Sequence, residues 1–433
     1  MTTKMKSKQI VSILDLMHRE IKPALGCTEP TAVALACGKA RETLNAIPTK
    51  ATIYVSGNIY KNALGVGIPG TGLIGLPIAA ALGLTGGNSS DCLEILKDIT
   101  DEHMQLAQNL IDNKVITILV KGNVHKLYVE VDIEHGKDSV VVKISHKHNH
   151  FAFIKRNNEI LLDDFPNDKD KDQNATQSPD LSVDTILNFI ESVDPKNLEF
   201  FNQAIEMNLA NANEGLEKNY GLRVGKNIQD SNKDIASNSA QSMRDYALML
   251  TTAASDARMG GSVLPVMSNT GSGNQGLTAS LPIIAYGEKL ESSKSELFKA
   301  LALGHLLPMH MKKQLGPLSA LCGVLLAATG AACGMVLLQG GDNLAIKRAI
   351  QHMAANITGM LCDGAKPGCS LKVHSGITAA IQASELALNT EIEALPDGIV
   401  DIDVEKTILN IALIGSNGLS ATDKMIIDMM QNK

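Results

Sequence analysis

The spacing of hydrophobic positions changes twice along this chain. From Gln9 onward Ile10, Ile13, Leu14 and Met17 recur at helical spacing, and residues 8–46 predict two helices separated by Ile21 to Pro30. Residues 51–57 then alternate between apolar and polar, as do 115–120, 126–133, 140–145 and 152–154. A period of two marks strands with one buried face, and short runs separated by turns predict an antiparallel sheet. Residues 163–180 lose all period in a polar, Asp-rich run. After Leu181 the helical period returns and holds to the end, broken by glycine-rich loops at 259–276 and 363–368. The pattern predicts an α+β fold: an N-terminal antiparallel sheet with helices over 1–162, a polar linker or insert over 163–181, and a larger all-α domain over 182–433.

Two stretches, 62–90 and 314–341, carry no charge and exceed the roughly 20 residues that span a bilayer. Glycine and proline interrupt the first repeatedly, and the second is mostly small residues. Both are expected as buried core elements, not membrane spans. Aromatics make up only 3% of the chain and Trp is absent, so the core must be packed from Ala, Leu, Ile, Val and the 17 Met, which suits helices. A net charge of -7 supplies no basic stripe to displace counterions, which excludes nucleic acid as the expected partner. The expected partner is a small molecule, and a homo-oligomer is compatible with the sequence. Seven cysteines, an odd number, follow a start that reads as a helix and not a secretory signal. Both features predict a reducing cytoplasm with thiols free for metal or catalysis.

Chemistry concentrates in the glycines and cysteines. Gly70-x-Gly72-x-x-Gly75 and Gly271-x-Gly273-x-x-Gly276 imitate a dinucleotide fingerprint, but neither sits in a convincing βαβ unit. Glycine-rich backbone at a helix start also holds small anions, carboxylates included, and that reading is preferred. Cys27 precedes Thr28 and Pro30, which read as an N-cap and a first helical turn, so the helix dipole is expected to favour its thiolate. Cys37 and Cys92 read as helix packing. His146, His148 and His150 alternate as an exposed polar strand end. Asp168, Asp170 and Asp172 open like a calcium loop, but Gln173 and Pro179 stand where Gly and Glu are required. Cys362 and Cys369 bracket a turn containing Gly364, Pro367 and Gly368, so their sulfurs sit on a loop and can converge. With one distant cysteine they would suit an iron–sulfur cluster with one iron left open; two small buried residues at a helix end is the plain alternative. Cys322 and Cys333 would stand ~16 Å apart on one continuous helix, so only one can join. Spacing leaves open which.

A resemblance narrows these alternatives. The chain is similar over nearly its whole length to the L-cysteine desulfidase family, relatives of the iron–sulfur L-serine dehydratases. The matching motifs are Gly26-Cys27-Thr28-Glu29-Pro30, Ser56-Gly57-Asn58 with Lys61-Asn62-Ala63, and Ile68-Pro69-Gly70-Thr71-Gly72. They continue through Ser255-Asp256-Ala257-Arg258-Met259-Gly260-Gly261, Gly271-Ser272-Gly273-Asn274-Gln275-Gly276, Leu318-Ser319-Ala320-Leu321-Cys322-Gly323, and the run from Cys362 to Cys369. By that resemblance Cys322, Cys362 and Cys369 hold a [4Fe-4S] cluster, Cys27 is the catalytic base, and Cys333 is a packing residue. Asn58, Gly70, Thr71, Gly72, Gly271, Gly273, Asn274 and Gln275 are expected to hold the carboxylate and amino group of an amino acid. The implied reaction is α,β-elimination of L-cysteine to sulfide, pyruvate and ammonia. An iron–sulfur L-serine or L-threonine dehydratase is the nearest rival, followed by a pyridoxal phosphate lyase, a membrane transporter and a structural zinc protein.

Overall fold

The computed structural model describes residues 5–165, 179–232, 234–316, 319–389 and 396–432. The amphipathic start forms α1 (Ser7–Glu20), with Ile13, Leu16 and Met17 buried. It is followed by β1 (Pro23–Ala24), α2 (Thr28–Leu44), β2 (Lys50–Val55), α3 (Gly57–Ala63), α4 (Leu76–Thr85) and α5 (Asp101–Asp112). The alternating runs then form β3 (Ile116–Val120), β4 (Tyr128–His135), β5 (Asp138–Ser145), β6 (Phe151–Arg156) and β7 (Glu159–Asp163). Their order is β3-β2-β4-β5-β6-β7. Alternate residues Ile53, Val55, Val129, Val131, Val140 and Val142 face the core with α2 packed across them. The sheet is mixed, not antiparallel throughout: β3 runs parallel to β2, Ala51 opposite Ile116. Parallel neighbours need a long crossover, and α3, α4 and α5 supply it.

The second half is helical: α6 (Val183–Ser192), α7 (Phe201–Glu217), α8 (Val224–Ser231), α9 (Ala240–Met259), the short β8 (Val266–Met267), α10 (Gly273–Lys289), α11 (Lys294–Leu315), α12 (Gly323–Leu338), α13 (Asn343–Ile357), α14 (Cys369–Leu388), α15 (Val404–Leu413) and α16 (Ser420–Gln431). Helix α12 packs against α10, α11, α13 and α14. A helix enclosed on all sides has no use for charge, which explains the uncharged 314–341 stretch; α4 explains the other. No helix among the described residues is long and apolar enough to cross a membrane. The Asp168, Asp170 and Asp172 run lies outside the described residues.

The chain ends change sides. Ile13 and Met17 of α1 belong to the same apolar cluster as Leu301 and Leu325 of the helical half. Helix α16 packs instead on α3. Two further seams join the halves. Strands β1 and β8 pair antiparallel, Pro23 opposite Met267, and Ser268 N–H donates to Lys22 O at 2.8 Å. The loop after α3 docks on the turn after α9, Gly67 N–H donating to Met259 O at 2.9 Å. A Cβ on Gly67 would lie 2.5 Å from the Gly260 carbonyl carbon, so this seam requires glycine.

A Cβ on Gly276 would fall 1.9 Å from Met267 O, because α10 presses directly on β8. Gly276→Ala is expected to destabilise the protein by about 1–3 kcal/mol or more. Gly359→Ala, where nothing lies within 4 Å, should stay within about 0.5 kcal/mol. Denaturant unfolding of the two variants checks the pair.

Candidate active site

Helices α2, α10, α12 and α14 begin at one cavity of about 540 Å³, which Thr28, Ser272, Gly323 and Cys369 help to line. Each helix start presents unpaired amide N–H groups and roughly half a positive charge, so the enclosed space favours an anion. The charged side chains add to this. Lys61, Lys126, Arg258, Lys312 and Lys372 line the cavity against a single carboxylate, Glu29. Lys61 pairs with Asp423 and Lys372 with Asp363. The Glu29 carboxylate is itself engaged, accepting from Thr28 Oγ1 at 3.2 Å and Asn62 Nδ2 at 3.3 Å.

Cys27 is the N-cap of α2, one residue earlier than Thr28, to which the sequence assigns that place. It sits with Val66 and Met259 in a small apolar cluster against which Cys369 packs. Arg258 anchors the spot: Nη2 donates to Gly26 O at 2.8 Å and Nη1 to Asn274 Oδ1 at 3.2 Å, with the guanidinium beside Cys27. The helix start is where it was expected, but burial outweighs it. Burial pushes the Cys27 thiol up to about 11, with Arg258 opposing the rise.

Cys322 is not inside a helix. It is the N-cap of α12, which runs unbroken from Gly323 past Cys333, so the two cysteines stay about three turns apart. Leu321 and Leu361 form an antiparallel bridge, Cys322 N–H donates to Met360 O at 2.9 Å, and Cys362 N–H donates to Ala320 O at 2.6 Å. Side chains alternate along such a pair, so Cys322 and Cys362 share a face as diagonal neighbours, about 7–8 Å apart. Cys369 opens α14, its Sγ 3.6 Å from Gly364 O. Gly364 makes the intervening turn at φ +95°, where a Cβ would lie 2.0 Å from Lys61 O. Burial pushes the Cys322 thiol up to about 12 and raises Cys369 as well. Cys333 is buried within α12, facing Ile346 O, and Cys37 is buried in α2. Cys92 is not helix packing: it is exposed, in a short 3-10 segment at φ 52°.

Asn58, Gly271, Asn274 and Gln275 line the cavity together with Cys27, Cys322, Cys362 and Cys369. The remaining glycine-loop positions are not among the lining residues. Gly273 packs against Arg258, a Cβ there falling 2.2 Å from Nε. Gly70 N–H bonds Gly261 O at 3.3 Å and Thr71 Oγ1 donates to Ile68 O at 2.8 Å, so that loop serves the seam between the halves. Lys61, Arg258 and Lys312 also line the cavity, as does His148, which the sequence places on an exposed strand end. The first two stood inside quoted motifs. Lys312 lies in the last turns of α11, and burial holds its ammonium below the usual lysine range. The histidines do not continue a strand: His146 turns the chain at φ 68°, and His148 comes within 3.4 Å of Thr28 Oγ1.

The model of the serine dehydratase alpha chain matches residues 90–428. This chain belongs to the serine dehydratase alpha chain family. It is 43% identical to a UPF0597 protein of Parabacteroides distasonis over 97% of this chain and 98% of that protein. It is 40% identical to a UPF0597 protein of Clostridioides difficile over 97% and 99% of the two chains. Membership makes it a lyase-type chain of an iron–sulfur family. Among the described residues no three His, Cys, Asp or Glu side chains converge on one point, as a single metal ion needs. A cluster sets a different test, because each thiolate binds its own iron and the sulfurs stand apart. Three thiols on one wall, amid cations that offset thiolate charge, fit that requirement.

Cys27 on cluster-free protein should resist iodoacetamide at neutral pH and react faster as pH rises toward about 11, because only the thiolate attacks. Arg258→Met removes the opposing charge and should shift the profile further alkaline. Peptide mass spectrometry of the Cys27 segment reads both.

Proposed function

We propose that this member of the serine dehydratase alpha chain family is an L-cysteine desulfidase acting in the cytoplasm. The observation that carries the reading is that Cys27 shares one cation-rich cavity with Cys322, Cys362 and Cys369. When bound by those three thiolates, a [4Fe-4S] cluster supplies Lewis-acid polarisation at an iron without a protein ligand.

The chain's own residues have three tasks. The helix starts and lysines hold the substrate carboxylate, with Asn274 and Gln275 available for polar contacts. Cys27, as thiolate, takes the α-proton; the electron pair forms the Cα–Cβ double bond, and the Cβ–S bond breaks with sulfide carrying the pair away. The aminoacrylate product then tautomerises and hydrolyses to pyruvate and ammonia. The high pKa of the buried Cys27 thiol makes the thiolate a strong base once formed, and the Arg258 guanidinium favours that form.

A second reading, L-serine or L-threonine dehydration, is favoured by the description of the matching family. It differs in the leaving group. Hydroxide is far more basic than sulfide and needs a proton as it departs.

Anaerobically purified protein should contain iron and inorganic sulfide, and should release sulfide, pyruvate and ammonia from L-cysteine faster than pyruvate and ammonia from L-serine. Cys27→Ala should keep its iron and lose turnover by about 10²-fold or more, whereas Cys362→Ala should lose the iron. Full turnover in Cys27→Ala would remove Cys27 as the base.

A further inference from the structure

An α-amino acid brings a carboxylate and an ammonium, and a site that selects it needs a donor for one and an acceptor for the other. Donors are plentiful in this cavity, and its one lining carboxylate, Glu29, already takes a hydrogen bond at each oxygen. Asn58 and Lys61 stand one turn apart on α3 and both line the cavity. The Lys61 side chain is only 1% exposed, and its ammonium pairs with Asp423 of α16. Asp423 reaches Asn58 as well, Nδ2 donating to Oδ2 at 3.4 Å.

A carboxylate only accepts hydrogen bonds, so the nitrogen of the Asn58 amide must face Asp423, which leaves Oδ1 as its free end. An ammonium has three donors, and Asp423 takes one. One acidic residue thus orients a free acceptor and free donors side by side. Gly364, in the turn between Cys362 and Cys369, rests on the Lys61 carbonyl, so the pair lies directly beneath the cysteine loop. Helix α16 has no buried residue, yet Ile427 fills the space over Gly57, where a Cβ would fall 2.6 Å from its Cδ1.

We propose that Asn58 and Lys61 form the α-amino-acid subsite, Asn58 Oδ1 accepting from the ammonium and Lys61 Nζ donating to the carboxylate, with Asp423 as the positioning residue for both. The subsite deepens the reading above, since it supplies the substrate grip that an elimination on L-cysteine requires.

The test uses equilibrium binding of unreactive probes to the anaerobically purified full chain: L-alanine, propionate (no ammonium) and ethylamine (no carboxylate). L-Alanine should bind about tenfold or more tighter than either fragment. Asn58→Leu should erase the advantage over propionate only, and Lys61→Met the advantage over ethylamine only. Asp423→Asn should weaken L-alanine about tenfold or more and raise KM for the reacting amino acid by the same factor, with kcat within about threefold. Asp423→Glu should recover part of the loss. The subsite is overturned if wild type binds L-alanine no better than the fragments, if Asn58→Leu leaves the L-alanine to propionate ratio unchanged, or if Asp423→Asn lowers kcat at constant KM. Tight L-alanine binding without turnover of L-cysteine or L-serine supports the subsite and refutes the elimination reading, so the two fail separately.

Discussion

Four helix starts aimed into one enclosed space create a constraint that the rest of the molecule must satisfy. Amide dipoles and cationic side chains of like sign are held together there, and like charges at close range repel. The arrangement is stable only if the helices are locked by packing elsewhere and if negative charge is brought to them. Packing of α12 among α10, α11, α13 and α14 meets the first condition. Asp423 and Asp363 meet part of the second, and thiolates with a substrate carboxylate are suited to complete it. A positive field of this kind favours an anion in the cavity and would favour the thiolate form of a cysteine facing it.

The cysteines show how burial and ligation oppose each other. A buried thiol resists ionisation, and that resistance holds Cys27, Cys322 and Cys369 protonated in the unliganded chain. Metal binding reverses the balance at a ligand, because the cation stabilises the thiolate directly. Cys27 has no such partner in the proposed scheme and has only Arg258 to favour its charge. Two kinds of sulfur thus share one wall, separated by what stands next to them and not by their depth.

Much of the fold was legible because periodicity reports burial directly. The strands and the helical second half follow from period two and period 3.6, and the uncharged stretches identify enclosed helices such as α4 and α12. The parallel β2–β3 pairing was not legible, since alternation is the same whichever way a neighbour runs. The glycine loops show a similar limit. Glycine at Gly67 and Gly70 signals a close approach of backbone, but whether it approaches a ligand or another loop depends on the tertiary arrangement. Lys61 and Arg258 could have been suspected as charged residues within motifs. Lys312 carried no signal and His148 reads as a solvated strand end, because a charged or polar side chain facing a cavity looks in sequence like one facing solvent.

The exchange of chain ends has a consequence for how the protein is made. The sheet and α3 leave the ribosome early, yet the cation buried at Lys61 meets its counter-ion on α16, 362 residues later in the sequence. Until that helix is made, Lys61 lacks its carboxylate partner, and an unpaired charge at the depth it finally reaches would be costly. The ion pair therefore ties α3, on the sheet side, to a helix made long after it.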